Sequence, residues 1–195
     1  MHFTIYRAKE DELIQGCLKR ERKAQKQLYD LYSSKMYGIC YRYVRDAMQA
    51  EDILVTAFMK VFEKIDQFKG EGSFEGWIRR IIVNEALTFL RRNKPMYVET
   101  ELENADREPD YDQISDHLET EDLLKMIGEL PPGYRIVFNM YAIDGYFHKE
   151  IASQLGISEN TSKSQLSRAR VHLQKMLADQ DWPTHQTVNT DEAAT

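Results

Sequence analysis

The chain contains few of the residues that interrupt helices. Only five prolines and nine glycines occur among its 195 residues. Proline removes a backbone donor and glycine loses more conformational freedom in a helix than other residues do, so their scarcity favours long helices. We therefore predict an all-α protein, and its length suits one or two small domains that each bury a modest core.

Cysteine is also scarce, and long apolar runs are absent. The spacing of Cys17 and Cys40 suits no metal site, so two buried thiols in a reducing cytoplasm are expected rather than a disulfide. No apolar run reaches the length of a membrane span, and the first residues, MHFTIYRAKEDEL, lack the apolar core of a signal peptide. We expect a cytoplasmic protein without membrane insertion.

No constellation of residues suggests catalysis. The five histidines are scattered, and there is neither a glycine-rich phosphate loop before a lysine nor a nucleophile elbow. His148 lies at the start of a predicted helix, where it suits a cap or a phosphate contact better than catalysis. The sequence predicts no catalytic residue, no metal site and no cofactor, so the protein is not expected to be an enzyme.

The charge is unevenly distributed along the chain. Although the net charge is −6, residues 95–130 hold twelve acidic and two basic residues, and residues 178–195 add four acids. Residues 69–94 and 131–177 each carry six basic and three acidic residues. Because salt screens charges beyond about 10 Å, the local excess matters more than the total. Two basic modules separated by an acidic connector are compatible with nucleic-acid binding.

Residues 144–177 predict two helices joined by a tight turn. Gly156 ends the first helix, since glycine adopts the left-handed conformation without strain, and Ser158 caps the second helix. Short polar groups and two cations at the start of that helix are typical of a major-groove reader, although a helical hairpin with a solvated face is the alternative. The predicted reading residues are Asn160, Thr161, Lys163, Ser164, Ser167 and Arg168. Val171 also points outward, and DNA reading does not explain it.

The first half of the chain predicts a leading amphipathic helix over 10–24 and further helices over 25–44, 47–65 and 75–94. The helix over 25–44 carries five tyrosines, which at helical spacing favour core packing over base stacking. The helix over 47–65 has an unusually wide apolar face. It is either a central core helix or one whose surface beside Asp52, Thr56 and Lys60 binds a protein partner.

The loop over 66–74 contains two glycines, two phenylalanines and a lysine, and the helix after it is rich in arginine. Aromatic rings beside cations suit single-stranded DNA, because bases stack on the rings while the cations neutralise the backbone. The alternative is a solvated basic helix with a core tryptophan. We expect Trp77 to pack in the core with one edge exposed.

Two stretches together resemble one family. QAEDILVTAFMKVFEKIDQFKGEGSFEGWIRRIIVNEALTFLRRNK is similar to region 2 of bacterial sigma-70 factors of the extracytoplasmic-function (ECF) group, and LPPGYRIVFNMYAIDGYFHKEIASQLGISENTSKSQLSRARVHLQ resembles region 4. The resemblance covers most of residues 25–177 and keeps the order of the regions. It implies a protein that binds core RNA polymerase, melts promoter DNA and directs transcription initiation.

The resemblance also implies a role for each segment. Region 2 would dock on the β′ clamp through Asp52, Thr56, Phe58, Lys60 and Phe62. It would hold the minus-10 element through Phe68, Lys69, Gly70, Ser73, Phe74, Trp77, Arg80 and Asn84. Region 4 would read the minus-35 element through the predicted reading residues and would dock on the β flap near Val137 and Tyr141. Promoter DNA and an anti-sigma factor are the further expected partners.

The chain departs from the family at several positions. Leu54, Val55 and Thr56 stand where members often carry Gln and Glu, which leaves the clamp contact less defined. In the reading helix, Ser162 replaces a common Val and Gln165 replaces a common Arg. A less cationic helix predicts weaker phosphate anchoring and an altered minus-35 sequence.

The predicted organisation is two small helical domains joined by an acidic linker. The predicted segments are an N-terminal extension (1–19), region 2 (20–94), the linker (95–118), region 4 (119–177) and a disordered tail (178–195). The linker is either a solvated tether or, by the resemblance, a segment in the RNA exit path whose acids mimic phosphates.

Two other functions are open, namely a helix-turn-helix regulator that acts without polymerase and an interaction protein that sequesters a partner.

Overall fold

The structure is a computed structural model that describes residues 2–93 and 120–180. These residues form α-helices without any strand, which confirms the predicted all-α fold class. The helices are α1 (His2–Leu18), α2 (Arg22–Val44), α3 (Ala47–Glu63), α4 (Phe74–Asn93), α5 (Thr120–Glu129), α6 (Pro132–Phe138), α7 (His148–Leu155) and α8 (Glu159–Gln180). A 3-10 helix spans Ile65–Gln67, and a π-helical turn spans Asn139–Ile143. In the described residues, no helix is long and apolar enough to cross a membrane.

The chain forms two compact units. The first contains α1 to α4, and the second is built on α5, α6 and α8 and includes the start of α7. The predicted linker and all but the first three residues of the predicted tail lie outside the described residues. The predicted domain boundaries therefore stay predictions.

Helix α3 packs against both α2 and α4 in the first unit. It begins where the Asp46 carboxylate accepts a hydrogen bond of 2.8 Å from the Gln49 backbone N–H. Its predicted apolar row is buried, with Ile53, Ala57 and Val61 at most 1% exposed. Burial of such side chains is worth about 1.5–3 kcal/mol for each large one, so this row supplies much of the stability of the unit.

The predicted helix over 10–24 is wrong in its boundaries. Helix α1 ends at Leu18 because Arg20 adopts a left-handed conformation (φ 60°), and α2 begins at Arg22. Gly16 lies at this corner, and a Cβ built on it would be 2.5 Å from the Cβ of Ala24. The close approach of α1 to α2 therefore requires glycine at this position.

The two cysteines are buried free thiols, as the sequence predicts. Cys17 in α1 is 1% exposed and Cys40 in α2 is fully buried. Desolvation raises the pKa of Cys17 to about 11 and that of Cys40 to about 12. Both groups are protonated at neutral pH, and buried thiols of this kind are chemically inert.

One core cluster of the second unit lies between α5 and α8. It consists of Met126, Ile127, Leu130, Ala169 and Leu173. The end of α5 is closed by a side chain from α6, because buried Arg135 donates from Nη1 to the carbonyls of Gly128 (3.3 Å) and Leu130 (3.0 Å). These carbonyls lie at a helix end, where no intrahelical donor is available.

The turn between α7 and α8 has the predicted geometry. Gly156 is left-handed (φ 69°), and Ser158 Oγ accepts a hydrogen bond of 2.9 Å from the Thr161 backbone N–H. Ser162, Leu166 and Leu173 are buried on the inner side of α8. The helix-turn-helix and the inward stripe of its second helix are therefore confirmed.

Candidate nucleic-acid interfaces

Three aromatic rings meet where the 66–73 loop joins α4. The ring centroids are 5.0 Å apart for Phe68 and Phe74, 5.7 Å for Phe68 and Trp77, and 5.6 Å for Phe74 and Trp77, whose planes are stacked. Phe74 is buried and rests on Tyr32, whereas Phe68 and Trp77 are half-buried. We call these three rings the aromatic platform. Phe68 and Trp77 offer accessible ring surface for stacking, while the buried Phe74 packs against both of them.

The loop beside the aromatic platform is exposed and has unusual backbone geometry. Gly70 (φ 74°) and Gly72 (φ 84°) are both left-handed, a conformation in which other side chains are strained. Lys69 and Ser73 are exposed, but the Ser73 hydroxyl accepts a hydrogen bond of 3.0 Å from Gly76 N–H and so caps α4. Ser73 therefore fixes the start of α4. Lys69 is the basic group that the loop presents, and the loop also exposes the acidic residues Asp66 and Glu71.

Arg80 and Asn84 continue the surface of the aromatic platform along α4. They follow Trp77 by three and seven residues, a spacing that places all three on one side of the helix. Arg80 is exposed and Asn84 is half-buried. The Asn84 Oδ1 is shielded from solvent and has no hydrogen-bond partner among the described residues. Such a polar atom has unused hydrogen-bonding capacity.

The predicted clamp-binding residues occupy different environments on α3. Asp52 and Thr56 are exposed, as a contact surface requires, and Phe62 is half-buried. Lys60 forms an ion pair with Glu85 of α4, which is 8% exposed. Phe58 is 2% exposed and packs in the core against Tyr29, so its side chain is not available to a partner. Apolar periodicity identified the wide face of α3 but not which part of it the other helices cover.

Sequence reasoning missed an apolar stripe on the outer side of α3. Met48, Val55 and Met59 are 75%, 52% and 68% exposed and follow one another at seven and four residues. Asp52 and Thr56 lie beside them. An open groove of about 330 Å³ runs between α3 and α2, with Tyr29 and Tyr37 among its lining residues. The signal was present in the sequence, because these apolar residues share the helical phase of Asp52 rather than that of Ile53.

The tyrosines of α2 divide between the core and the surface. Tyr32 and Tyr43 are buried, in agreement with the favoured interpretation of this helix. Tyr29, Tyr37 and Tyr41 are half-buried, and the rings of Tyr37 and Tyr41 stack with their centroids 6.3 Å apart.

The reading residues of α8 share one accessible side. Asn160 and Lys163 are exposed, while Thr161, Ser164, Ser167 and Arg168 are half-buried. Ser164 donates to the Thr161 carbonyl (3.0 Å), which holds its hydroxyl close to the helix. Val171 is 47% exposed, and nothing in the structure explains it.

Gln165 does not belong to this reading face. A Cβ built on Gly133 of α6 would lie 3.4 Å from the Gln165 amide, and the Gln165 Oε1 is buried without a hydrogen-bond partner among the described residues. Its side chain is therefore directed towards α6. The expectation of weaker phosphate anchoring stays a prediction, and a neutral side chain directed towards α6 contributes no phosphate contact of its own.

Of the two residues expected at the β-flap docking surface, Val137 and Tyr141, only Tyr141 is exposed. Val137 is fully buried, so the expectation that it contributes to a docking surface is wrong. Tyr141 is 37% exposed, and its ring stacks on His148 with a centroid separation of 4.6 Å. The adjacent Phe147 is 74% exposed, and its backbone N–H donates to the Glu150 carboxylate (2.9 Å) just before α7.

The chain is similar to proteins of known family. Models of sigma-70 region 2 and of sigma-70 region 4 match residues 28–95 and 120–173. The ECF RNA polymerase sigma factor SigW of Bacillus subtilis is 31% identical over 85% of this chain and 95% of its own length. ECF RNA polymerase sigma factor SigE of Mycolicibacterium smegmatis is 29% identical over 80% of this chain and 62% of its own length. A co-crystal structure of the sigma factor RpoE with the anti-sigma factor NepR from Bartonella quintana has a TM-score of 0.47 at 24% identity and covers 78% of this chain and 96% of that chain.

Proposed function

The chain belongs to the sigma-70 family, in the group of ECF RNA polymerase sigma factors, and from this membership and the geometry we infer how its surfaces divide the work of initiation. The protein is a sigma factor. It binds core RNA polymerase and directs promoter recognition, melting and initiation, and it is not itself an enzyme. We propose the following roles for individual residues.

Helix α8 is assigned to the minus-35 element. Its accessible side carries hydrogen-bonding groups of several lengths, and Lys163 and Arg168 supply cations for guanine edges or phosphates. The cap at Ser158 holds the first turn of α8 in place, so these side chains have a fixed register relative to the groove. We assign base reading to Asn160, Thr161, Lys163, Ser164, Ser167 and Arg168.

The aromatic platform and its loop are assigned to the melted minus-10 element. An unstacked base gains about 1–3 kcal/mol by stacking on an aromatic side chain, and Phe68 and Trp77 are the accessible rings. The half-buried Asn84 amide lies on the same side of α4 as Trp77 and suits hydrogen bonding to an extruded base, while Lys69 and Arg80 suit the DNA backbone. Phe74 supports the rings, and Gly70 and Ser73 shape the loop.

The outer side of α3 is assigned to the β′ clamp. Asp52 and Thr56 supply polar contacts, and the Met48, Val55 and Met59 stripe supplies the apolar area that a stable interface needs. Phe58 is left out because it is buried, and Lys60 contributes through its ion pair with Glu85. Phe62 belongs to the edge of this surface.

The clamp assignment is tested by measuring the affinity of the full chain for core polymerase. Met59→Asp should weaken binding about tenfold or more, because it places a charge in an apolar contact. Val171→Asp in the second unit is the matched control and should retain affinity. Equal affinities for the two variants would contradict the assignment.

We place the protein in the cytoplasm, because bacterial polymerase and promoter DNA are there. The exposed edge of Tyr141 is a candidate contact for the β flap. An anti-sigma factor is a further proposed partner.

The observation that supports this division of labour is that one chain carries both an aromatic platform beside a basic helix and a polar, basic side of α8. A duplex-only regulator needs α8 but has no use for an aromatic platform beside a left-handed loop. The test is transcription by core polymerase from a promoter library, with and without the protein. New start sites preceded by a shared pair of elements are expected. Duplex binding without initiation would favour the regulator, and neither activity would favour sequestration.

The same library tests the two assignments separately. Asn84→Ala should change base preference only in the downstream element, and exchange of Lys163, Ser164 and Ser167 should change it only in the upstream element. If either set of substitutions leaves its element unchanged, that assignment is wrong.

A further inference from the structure

The side chain of His148 is held in a defined position at the start of α7. Its Nδ1 lies 2.9 Å from the hydroxyl of Ser162, which is fully buried. Its ring stacks on Tyr141, with centroids 4.6 Å apart and planes at 21°. The Arg170 guanidinium lies over the same tyrosine ring, 6.0 Å from its centroid. The imidazole is therefore oriented from two sides, with Nδ1 engaged by Ser162.

The surroundings of this imidazole are positively charged. Burial lowers the pKa of His148, and the charges of Lys163 and Arg170 lower it further, against an opposing effect of Glu159. The titratable and charged groups of the neighbouring elements are Lys163, Arg170 and Glu159 on α8, Tyr141 on the π-helical turn, and Lys149 and Glu150 on α7 itself. In the free protein the ring is thus neutral near pH 7, although it lies in a cationic cluster.

A cationic cluster beside a DNA-reading face suits an anion. Lys163 belongs both to the cationic cluster around His148 and to the reading face of α8, so the two are continuous. The polyanion that this face meets is duplex DNA, whose phosphates are contacted by cations and hydrogen-bond donors. The hydroxyl of Ser162 is fully buried and has His148 as its hydrogen-bond partner.

We propose that His148 contacts a backbone phosphate at the minus-35 element and takes up a proton when it does so, with Ser162 and Tyr141 as its positioning residues. The proposal rests on the assignment of α8 to that element. A phosphate offsets the repulsion from Lys163 and Arg170 and attracts the imidazolium directly. Both effects favour the charged ring in the complex.

The sign of the pH dependence follows from linkage. Because the pKa of His148 is higher in the complex than in the free protein, affinity increases as pH falls. The gain in affinity is complete below the pKa that His148 has in the free protein, and it disappears above the pKa that His148 has in the complex. If binding raises this pKa by about one unit, affinity changes by up to about tenfold across that window.

The test measures the affinity of holoenzyme, reconstituted with the full chain, for duplex promoter DNA at about pH 6 and about pH 8. For the wild-type chain we expect the ratio of the affinity at about pH 6 to that at about pH 8 to be about three to ten. For His148→Gln we expect only the smaller ratio that the other titrating groups produce. His172→Gln on the exposed side of α8 is the matched control and should keep the wild-type ratio. Ser162→Ala removes the hydroxyl that engages Nδ1 and should reduce the ratio. An equal ratio for wild type and His148→Gln would overturn the proposal.

A second measurement separates this proposal from the function that it rests on. The imidazole resonance of His148 is titrated by NMR in the full chain, with and without inorganic phosphate. An increase in its pKa with phosphate supports the anion site even if α8 reads a different element. An unchanged pKa overturns the site even if promoter recognition by α8 is established.

Discussion

Arg135 joins two helices of the second unit through a single guanidinium. It is buried and donates to the carbonyls of Gly128 and Leu130 at the end of α5. Arg135→Met keeps the apolar stem but leaves these carbonyls without a donor, so we expect about 2 kcal/mol lower stability of this unit. Chemical denaturation measures this loss of stability, and the same substitution at the exposed Lys149 (Lys149→Met) is the control. Equal midpoints for the two variants would show that water replaces the guanidinium.

Phe147 occupies the position before α7 where a short polar side chain usually caps a helix. The reciprocal half of a capping box is present, since Glu150 accepts from the Phe147 backbone N–H. Phe147→Ser should complete the box and stabilise the second unit by about 0.5–1 kcal/mol. Thermal unfolding measures the gain, and Phe147→Ala, which removes the ring without adding a cap, should not show it. A gain of equal size in both variants would mean that the ring itself is unfavourable.

Part of the candidate interfaces could be predicted from the sequence, and part could not. The reading face and the aromatic loop were predicted from local patterns, because caps, glycines and helical phase are local properties. The burial of Phe58, the orientation of Gln165 towards α6 and the pairing of His148 with Ser162 depend on contacts between elements. No pattern within one helix specifies them.

At the scale of elements, the corner between α1 and α2 determines the packing of the first unit. Gly16→Ala places a methyl group 2.5 Å from the Ala24 Cβ, and we expect a loss of about 1–3 kcal/mol from the forced shift. Gly38→Ala in α2 is the matched control, because a Cβ there meets nothing within 4 Å and alanine favours helix. Denaturation should show opposite signs for the two variants. A neutral Gly16→Ala would mean that α1 can move away without loss.

The predicted boundaries of α2, α3 and α4 lie within three residues of the observed ones, whereas none were predicted for α5 and α6. The predicted helix over 47–65 matches α3 to within two residues, since Asp46 and the apolar period are visible in the sequence. The end of α1 was missed because Arg20 is left-handed, a conformation that sequence patterns assign to glycine or asparagine. The π-helical turn at Asn139–Ile143 was also missed, because it lies inside an uninterrupted helical pattern.

At the scale of the whole molecule, charge distribution decides how a chain of net charge −6 binds DNA. On the proposed assignment the phosphate contacts come from the basic face of α8, so binding should weaken with salt despite the acidic total. Lys163→Ala should reduce the slope of log affinity against log salt by about one. The slope is measured with holoenzyme and duplex promoter, and Lys26→Ala, whose ammonium pairs with Asp30, is the control. A slope unchanged by Lys163→Ala would remove that residue from the phosphate contacts.

The burial of Cys17 and Cys40 has a practical consequence for observing initiation. With pKa values of about 11 and about 12, these two thiols hold almost no thiolate at neutral pH, whereas an exposed cysteine with a pKa of about 8.5 ionises by several per cent. A single cysteine introduced at Lys69 or Met59 would therefore react with a maleimide dye hundreds of times faster than either native thiol. The natural chain can carry one fluorophore at the minus-10 loop or at the clamp surface without prior removal of its own cysteines. Strand opening and polymerase docking then become separate optical signals from the same protein.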